Sequence, residues 1–266
     1  MKMHYRAGGQ QIHKGGQGEK IPVSRHFRLT AAGFLVWNAP MIRTIAAVFL
    51  CLQMWTPAQA GFDEGMTAYK NNDFQTALKE WSPLADGGNL EAQYLVGRIY
   101  FRTSVDYAKA AKWYRKAADQ GHAAAQNGLA SLYRTGRGIK KDIATAVKWY
   151  RRSATQGNVY AQNQLGFMYF FGNDVRQDYA EALTWYRKAA NQGYSIAQYS
   201  LGNMYRDGKG VRRNYVEAHK WYSLASVQGN ELATSDRDML SGKMTQDDIA
   251  AAKKLAHDWV ATHGKE

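Results

Sequence analysis

Between residues 62 and 230 the apolar positions fall into two helical patterns that alternate along the chain. In one, Ala161, Leu165, Met168 and Tyr169 sit at i, i+4, i+7 and i+8, a single face of a helix. In the other, Ala182, Trp185, Tyr186, Ala189 and Ala190 sit at i, i+3, i+4, i+7 and i+8. The pair of patterns itself repeats. Trp113-Tyr114, Trp149-Tyr150, Trp185-Tyr186 and Trp221-Tyr222 follow one another at 36 residues, as do Gly121, Gly157, Gly193 and Gly229. Ala125-Gln126, Ala161-Gln162 and Ala197-Gln198 keep this step, and Ala92-Gln93 comes three residues early. The unit around Ala77, Trp81 and Gly88 is degenerate, as a terminal repeat is expected to be.

Between the two helices of a unit, Gly136 and Gly138, and again Gly208 and Gly210, supply backbone that tolerates positive φ at a helix end and turn. The fourth unit writes Gly172-Asn173-Asp174 there. The second writes Arg102-Thr103-Ser104-Val105 without glycine, which predicts a tighter or irregular turn. Gly166 is expected to let a neighbouring backbone approach. A helix pair of this kind cannot bury both its sides alone, so successive pairs must stack, with Trp149 and Trp185 in the inter-helix core. The pattern predicts an all-α solenoid of about five helix pairs, 61–89, 90–122, 123–158, 159–194 and 195–230, closed by a C-terminal cap over 231–266. In that cap Thr245 is the expected N-cap, and Ile249, Ala252, Leu255, Ala256 and Trp259 share one face.

These residues carry a resemblance. Ala-Gln-x-x-Leu-Gly-x-Met-Tyr-x-x-Gly-x-Gly-Val followed by Ala-x-x-Trp-Tyr-x-x-Ala-Ala-x-x-Gly, matched almost throughout by Ala197 to Gly229, resembles the Sel1-like repeat, a relative of the tetratricopeptide repeat. The resemblance implies a right-handed superhelix, first helices lining its concave surface, and adaptor or scaffold roles. Fold alone does not name a function.

The start of the chain reads differently. Residues 1–40 show no apolar periodicity and are taken as a disordered or mis-annotated extension. Residues 41–60 read as a signal peptide: Arg43 is the basic start, Ile45 to Leu52 the apolar stretch, and Pro57 to Ala60 the cleavage site. Translation from Met41 is therefore an alternative to Met1. Cys51 follows Leu50 where a lipoprotein signal wants a small residue, and cleavage after Ala60 removes the chain's one cysteine. The expected location is periplasmic or secreted, with no transmembrane anchor after cleavage. The formal charge of +13 also changes meaning, since residues 1–60 hold seven basic residues and one acidic; the rest hold 28 and 21. Export argues against nucleic acid as the partner despite this charge.

No nucleophile elbow, zinc helix or phosphate loop occurs, and His122, His219, His257 and His263 are scattered. His219 takes a slot filled elsewhere by Ala111, Val147 and Leu183, so it is read as a packing residue. No catalytic residue, cofactor or metal is expected. Recognition is sought instead where the units differ. The residue after each Ala-Gln, and those four and eight further on, form one stripe: Tyr94, Arg98 and Arg102; Asn127, Ser131 and Thr135; Asn163, Phe167 and Phe171; Tyr199, Asn203 and Asp207. Aromatic and arginine side chains are common interface anchors; packing of Phe167 and Phe171 on the next unit is the alternative. Basic pairs Arg115-Lys116, Arg151-Arg152 and Arg187-Lys188 offer a ridge for an anionic envelope surface, or simply a solvated face. The expected function is a periplasmic scaffold for a protein partner in envelope signalling or assembly. An envelope hydrolase or β-lactam-binding protein and a secreted effector binding a host protein are the alternatives.

Overall fold

Asp and Asn at repeating positions start the helices. Asp73, Asp106, Asp142, Asp178 and Asn214 each accept a hydrogen bond from a backbone N–H two or three residues on, opening the second helix of a pair. Asn89, His122 through Nδ1, Asn158 and Asn230 open first helices in the same way, whereas Tyr194 makes no such bond. The computed structural model describes residues 59–103 and 105–264, and these form twelve helices and no strand. They are α1 over residues 59–70, α2 Phe74–Asp86, α3 Leu90–Arg102, α4 Tyr107–Asp119, α5 Ala123–Thr135 and α6 Ile143–Thr155, then α7 Val159–Phe171, α8 Tyr179–Asn191, α9 Ser195–Asp207, α10 Tyr215–Ser226, α11 Glu231–Ser241 and α12 Gln246–His263. The extension 1–40, Arg43, Cys51 and the signal segment up to residue 58 lie outside the described residues.

From α3 to α10 each odd-numbered helix packs on the even-numbered helix after it and on the one before it. This is an all-α repeat solenoid. What ties three consecutive helices together is a buried glutamine. Gln126 of α5 is 4% exposed; its Nε2 donates to the carbonyl of Ala118 in α4 at 3.1 Å, and its Oε1 accepts from Gln156, the C-cap of α6, at 2.8 Å. Gln93, Gln162 and Gln198 repeat both bonds, to Ala85, Ala154 and Ala190 on one side and to Gln120, Gln192 and Gln228 on the other. Each rung thereby adds a second partner to a helix-end carbonyl that already accepts from the backbone N–H of the glycine three residues on.

Around these rungs large rings meet small residues. Ala182, Trp185, Tyr186, Ala189 and Ala190 are all buried, as are Ala161, Leu165 and Met168. Gly166 admits a ring rather than a backbone: a Cβ there would lie 2.6 Å from the Tyr186 ring, and one on Gly202 as close to Tyr222. Backbone does approach closely at the turns, where a Cβ on Gly138 would overlap the Tyr107 carbonyl and one on Gly210 that of Tyr179. Gly136, Gly138, Gly172, Asp174, Gly208 and Gly210 all take φ between 68° and 72°. The α3–α4 turn departs from this, since Thr103 ends α3 in a right-handed conformation and Val105, a β-branched residue, sits at φ 51°.

At the C-terminal end α12 lies on α10. Thr245 caps it, Ala252 is buried, and the Trp259 ring stands 6.1 Å from that of Trp221. Leu255 does not share this buried side and is 38% exposed. His219 is 2% exposed beneath α11 and α12, with Ser223 3.4 Å from its Nδ1. Burial, helped by the charges of Arg237 and Lys253, holds its pKa below the ordinary 6.5.

Three measurements follow from this packing. Gln162→Leu removes two side-chain hydrogen bonds, to the Ala154 carbonyl and from the Gln192 amide, so the unfolding free energy should fall by about 1–3 kcal/mol, read from denaturant titration; no change would show the rungs to be ornamental. Trp149→Ala should cost about 3–5 kcal/mol by opening a cavity. Stability should also fall with acid in two stages. His219 has a lowered folded pKa, so the unfolded chain binds its proton first and stability declines as pH drops below about 6.5. Asp73, Asp106 and Asp142 are held below their ordinary 3.8, by the Thr76 hydroxyl and by the backbone N–H groups of Lys109 and Thr145 respectively, so their caps are lost only at lower pH still. His219→Leu should remove the first stage and keep the second.

Candidate functional site: the face of the first helices

With the rungs fixing how each odd-numbered helix is rotated, the positions one, five and nine residues beyond the buried glutamine of α3, α5, α7 and α9 are set on a common side. Positions four apart lie one above another on a helix. The structure divides this stripe into three regions.

The first gathers at α3. Tyr94 is half-buried, stacks on His122 at 4.6 Å and on Tyr114 at 6.0 Å, and its hydroxyl pKa is pushed up by burial. Arg98 stands 5.5 Å over the Tyr69 ring and Arg102 donates to the Tyr69 hydroxyl at 3.2 Å, so both guanidiniums meet α1.

The middle region is polar. Asn163 is 9% exposed and Asn127 half-buried, and the amide oxygen of each is buried without a hydrogen-bond partner. Ser131 is half-buried, and its carbonyl accepts from the hydroxyl of the exposed Thr135 at 2.8 Å.

The third region is an apolar groove of about 360 Å³ that includes Phe167, Phe171, Ile196, Tyr199, Asn203 and Leu232 in its walls. Phe167 and Phe171 touch each other at 4.6 Å between ring centroids and remain 38% and 53% exposed. They are thus open to the groove and are not sealed against the next unit. Tyr199 donates to Asp236 at 3.0 Å and Asn203 accepts from the buried Tyr222 hydroxyl at 2.7 Å. Asp207 is engaged by Arg206 through two bonds, which hold its carboxyl below the ordinary range.

Four stripe residues, Phe167, Phe171, Tyr199 and Asn203, therefore meet in one groove, and Tyr94, Arg98 and Arg102 form a separate cluster at α3. Two groove residues were not singled out by the stripe. Ile196 and Leu232 are second residues of α9 and α11, in register with Tyr160 of α7, and the three are 49%, 65% and 58% exposed. Their shared 36-residue step was the available clue.

The basic pairs on the second helices are engaged in the array itself. Arg115, Arg151 and Arg187 donate to the hydroxyls of Tyr133, Tyr169 and Tyr205 on the following first helix, the last two at 2.6 and 2.9 Å. Their neighbours Lys116, Arg152 and Lys188 lie 4.0, 4.7 and 4.5 Å over the rings of Trp113, Trp149 and Trp185. The ridge is a row of ties between units as much as a charged surface. Among the described residues no cluster of three or more His, Cys, Asp or Glu is placed to hold a metal ion, and no helix is long and apolar enough to cross a membrane.

Comparison with known proteins places this architecture. The Sel1 repeat family model matches residues 90–122, 123–158, 159–194 and 195–230. Among solved structures, a Sel1 repeat protein from Oxalobacter formigenes is similar at 30% identity, with 76% of this chain and 85% of that one covered and a TM-score of 0.62. A protective antigen of uropathogenic Escherichia coli with an SLR fold aligns at 29% identity over 77% of this chain and 54% of its own, TM-score 0.48. An immunity protein of Pseudomonas aeruginosa aligns at 21% identity over 79% and 84%, TM-score 0.48. No curated protein matches the chain.

If the groove is a surface for recognition and not a core in disguise, its exposed side chains are dispensable for folding. Phe171→Ser and Ile196→Ser should each shift the unfolding free energy by no more than about 0.5 kcal/mol. Leu165→Ala, one layer beneath, should cost about 2–5 kcal/mol. Comparable losses from all three in thermal melts would assign Phe171 and Ile196 to packing.

Proposed function

Since the chain belongs to the Sel1 repeat family, whose repeats typically mediate protein–protein interaction, we propose that it is an exported, non-catalytic scaffold. It holds a protein partner on the face of its first helices and acts in the periplasm as an adaptor or regulator of envelope signalling or assembly. The observation that carries the binding role is the groove between α7, α9 and α11. Phe167, Phe171, Ile196 and Leu232 stay open to solvent, whereas Leu165 and Met168 of α7 and Leu201 and Met204 of α9 are buried. Exposed apolar surface of this kind, bordered by polar groups such as Asn203 and Asn230, marks protein contact sites.

Support for export comes from residues 41–60 alone, with their basic start, short apolar stretch and small residues before Gly61. Support for a binding rather than a chemical role comes from how the polar side chains are used. Tyr199, Asn203, Asp207 and the arginines of the second helices are spent on contacts within the array, leaving the groove itself to shape and apolar contact.

In-cell crosslinking of the tagged full-length chain, followed by mass spectrometry of the envelope fraction, tests this function. The expected result is one stoichiometric protein partner that is lost in Phe171→Ser/Ile196→Ser. Covalent labelling by a reporter penicillin would favour the β-lactam-binding alternative, and recovery of the protein from culture supernatant bound to a host protein would favour the effector.

A further inference from the structure

The two ends of the first-helix face differ in chemistry, and a partner must match both. At α3, Arg98 and Arg102 stand one helical turn apart, and among the described residues no carboxylate lies within 4.0 Å of either guanidinium. Both contact Tyr69, and Arg98 also interacts with the Tyr94 hydroxyl. Glu91, on the same helix, is taken by His122 at 3.0 Å. At the opposite end the groove of Phe167, Phe171, Ile196 and Leu232 is apolar. The carboxylates near it, Asp207 and Asp236, are both bound by Arg206, at 2.7 and 3.1 Å, and so present little free charge.

Between these ends lie Asn127 and Asn163, at the same position of successive units. Each has a buried amide oxygen with no partner, and Asn163 is nine-tenths buried. A buried carbonyl left unpaired is costly, and here the cost recurs at a 36-residue step on the first-helix face. A side-chain amide is the complement of a peptide group, with one donating and one accepting edge that exchange when the amide turns over. An extended chain carries its N–H and C=O groups unpaired, whereas a helix has already satisfied them internally. An extended chain also advances about 3.3 Å per residue against 1.5 Å in a helix, so for its length it reaches further along the face.

We propose that the face takes an extended segment of a partner protein that is acidic at one end and apolar at the other. Its carboxylates sit against Arg98 and Arg102, its main chain runs past Asn127 and Asn163, and a bulky aliphatic or aromatic side chain fills the groove. The segment therefore binds in one direction only. This deepens the scaffold function proposed above and rests on it.

The test is selection of a phage-displayed library of random peptides of about 16 residues, which extend to roughly 50 Å, on the immobilised full-length protein. Enriched sequences should carry Asp or Glu towards one end and Leu, Ile, Met or Phe towards the other, always in the same order. Arg98→Glu/Arg102→Glu should weaken the best peptide at least roughly tenfold, equivalent to about 1.4 kcal/mol. A peptide with Lys in place of the acids should recover binding to that variant, which an unfolded variant could not do. Enriched peptides with no ordered separation of acidic and apolar residues, or equal binding to the double Arg variant, would overturn the acidic-to-apolar segment while leaving the face a protein-binding surface. No enrichment at all, or enrichment undiminished by Phe171→Ser/Ile196→Ser, would remove the face as a peptide-binding surface altogether.

Discussion

A solenoid has no sheet to close and no single centre to collapse upon, so the angle between neighbouring helices has to be fixed locally, again and again. Here one buried side chain does this in each unit. Gln93, Gln126, Gln162 and Gln198 each join the last turn of the preceding second helix to a glutamine at the C-terminal end of their own second helix. Hydrophobic contact is permissive about rotation and sliding; a paired amide in a dry interior is not, because losing either bond strands a polar group. The rungs therefore set which side of α3, α5, α7 and α9 looks outward. The rest of the packing is arranged around them, with tyrosine rings on glycines and turn glycines on the backbone of the preceding unit.

Fixing rotation separates two kinds of position. Those that obey the 36-residue step with one residue type are spent on the array: the buried alanines, the glutamines, the Trp-Tyr pairs, and the arginines that reach across to Tyr133, Tyr169 and Tyr205. Those that ignore it, such as Arg98, Ser131, Phe167 and Asn203 at one shared slot, are free to differ. The face they form passes from guanidinium to amide to phenyl along the chain, with buried layers of alanine and leucine beneath it. Variation between units and the packing of the array thus fall largely on different side chains.

Much of this could be seen in the sequence because helical periodicity and a fixed repeat act over short distances. Ala161, Leu165 and Met168 proclaim one face of α7, and Gly136 with Gly138 proclaim a turn. The stripe itself follows from i, i+4, i+8 spacing. What periodicity cannot show is which atoms meet when two helices cross. The partner of Gly166 proved to be the Tyr186 ring and not a backbone; the basic pairs, expected as a surface ridge, tie one unit to the next; Leu255 falls just outside the face that α12 presents to α10. Ile196 and Leu232 were missed for a related reason. An apolar residue in a first turn reads as packing until the neighbouring helix is seen to leave it uncovered.

The central claim is that the first helices form the recognition face and the second helices the outer support. Amide hydrogen exchange of the full-length protein, alone and with its crosslinked partner, addresses it most directly. The account predicts added protection in α3, α5, α7 and α9, with α4, α6 and α8 unchanged. Protection confined to the second helices or to α12 would contradict it.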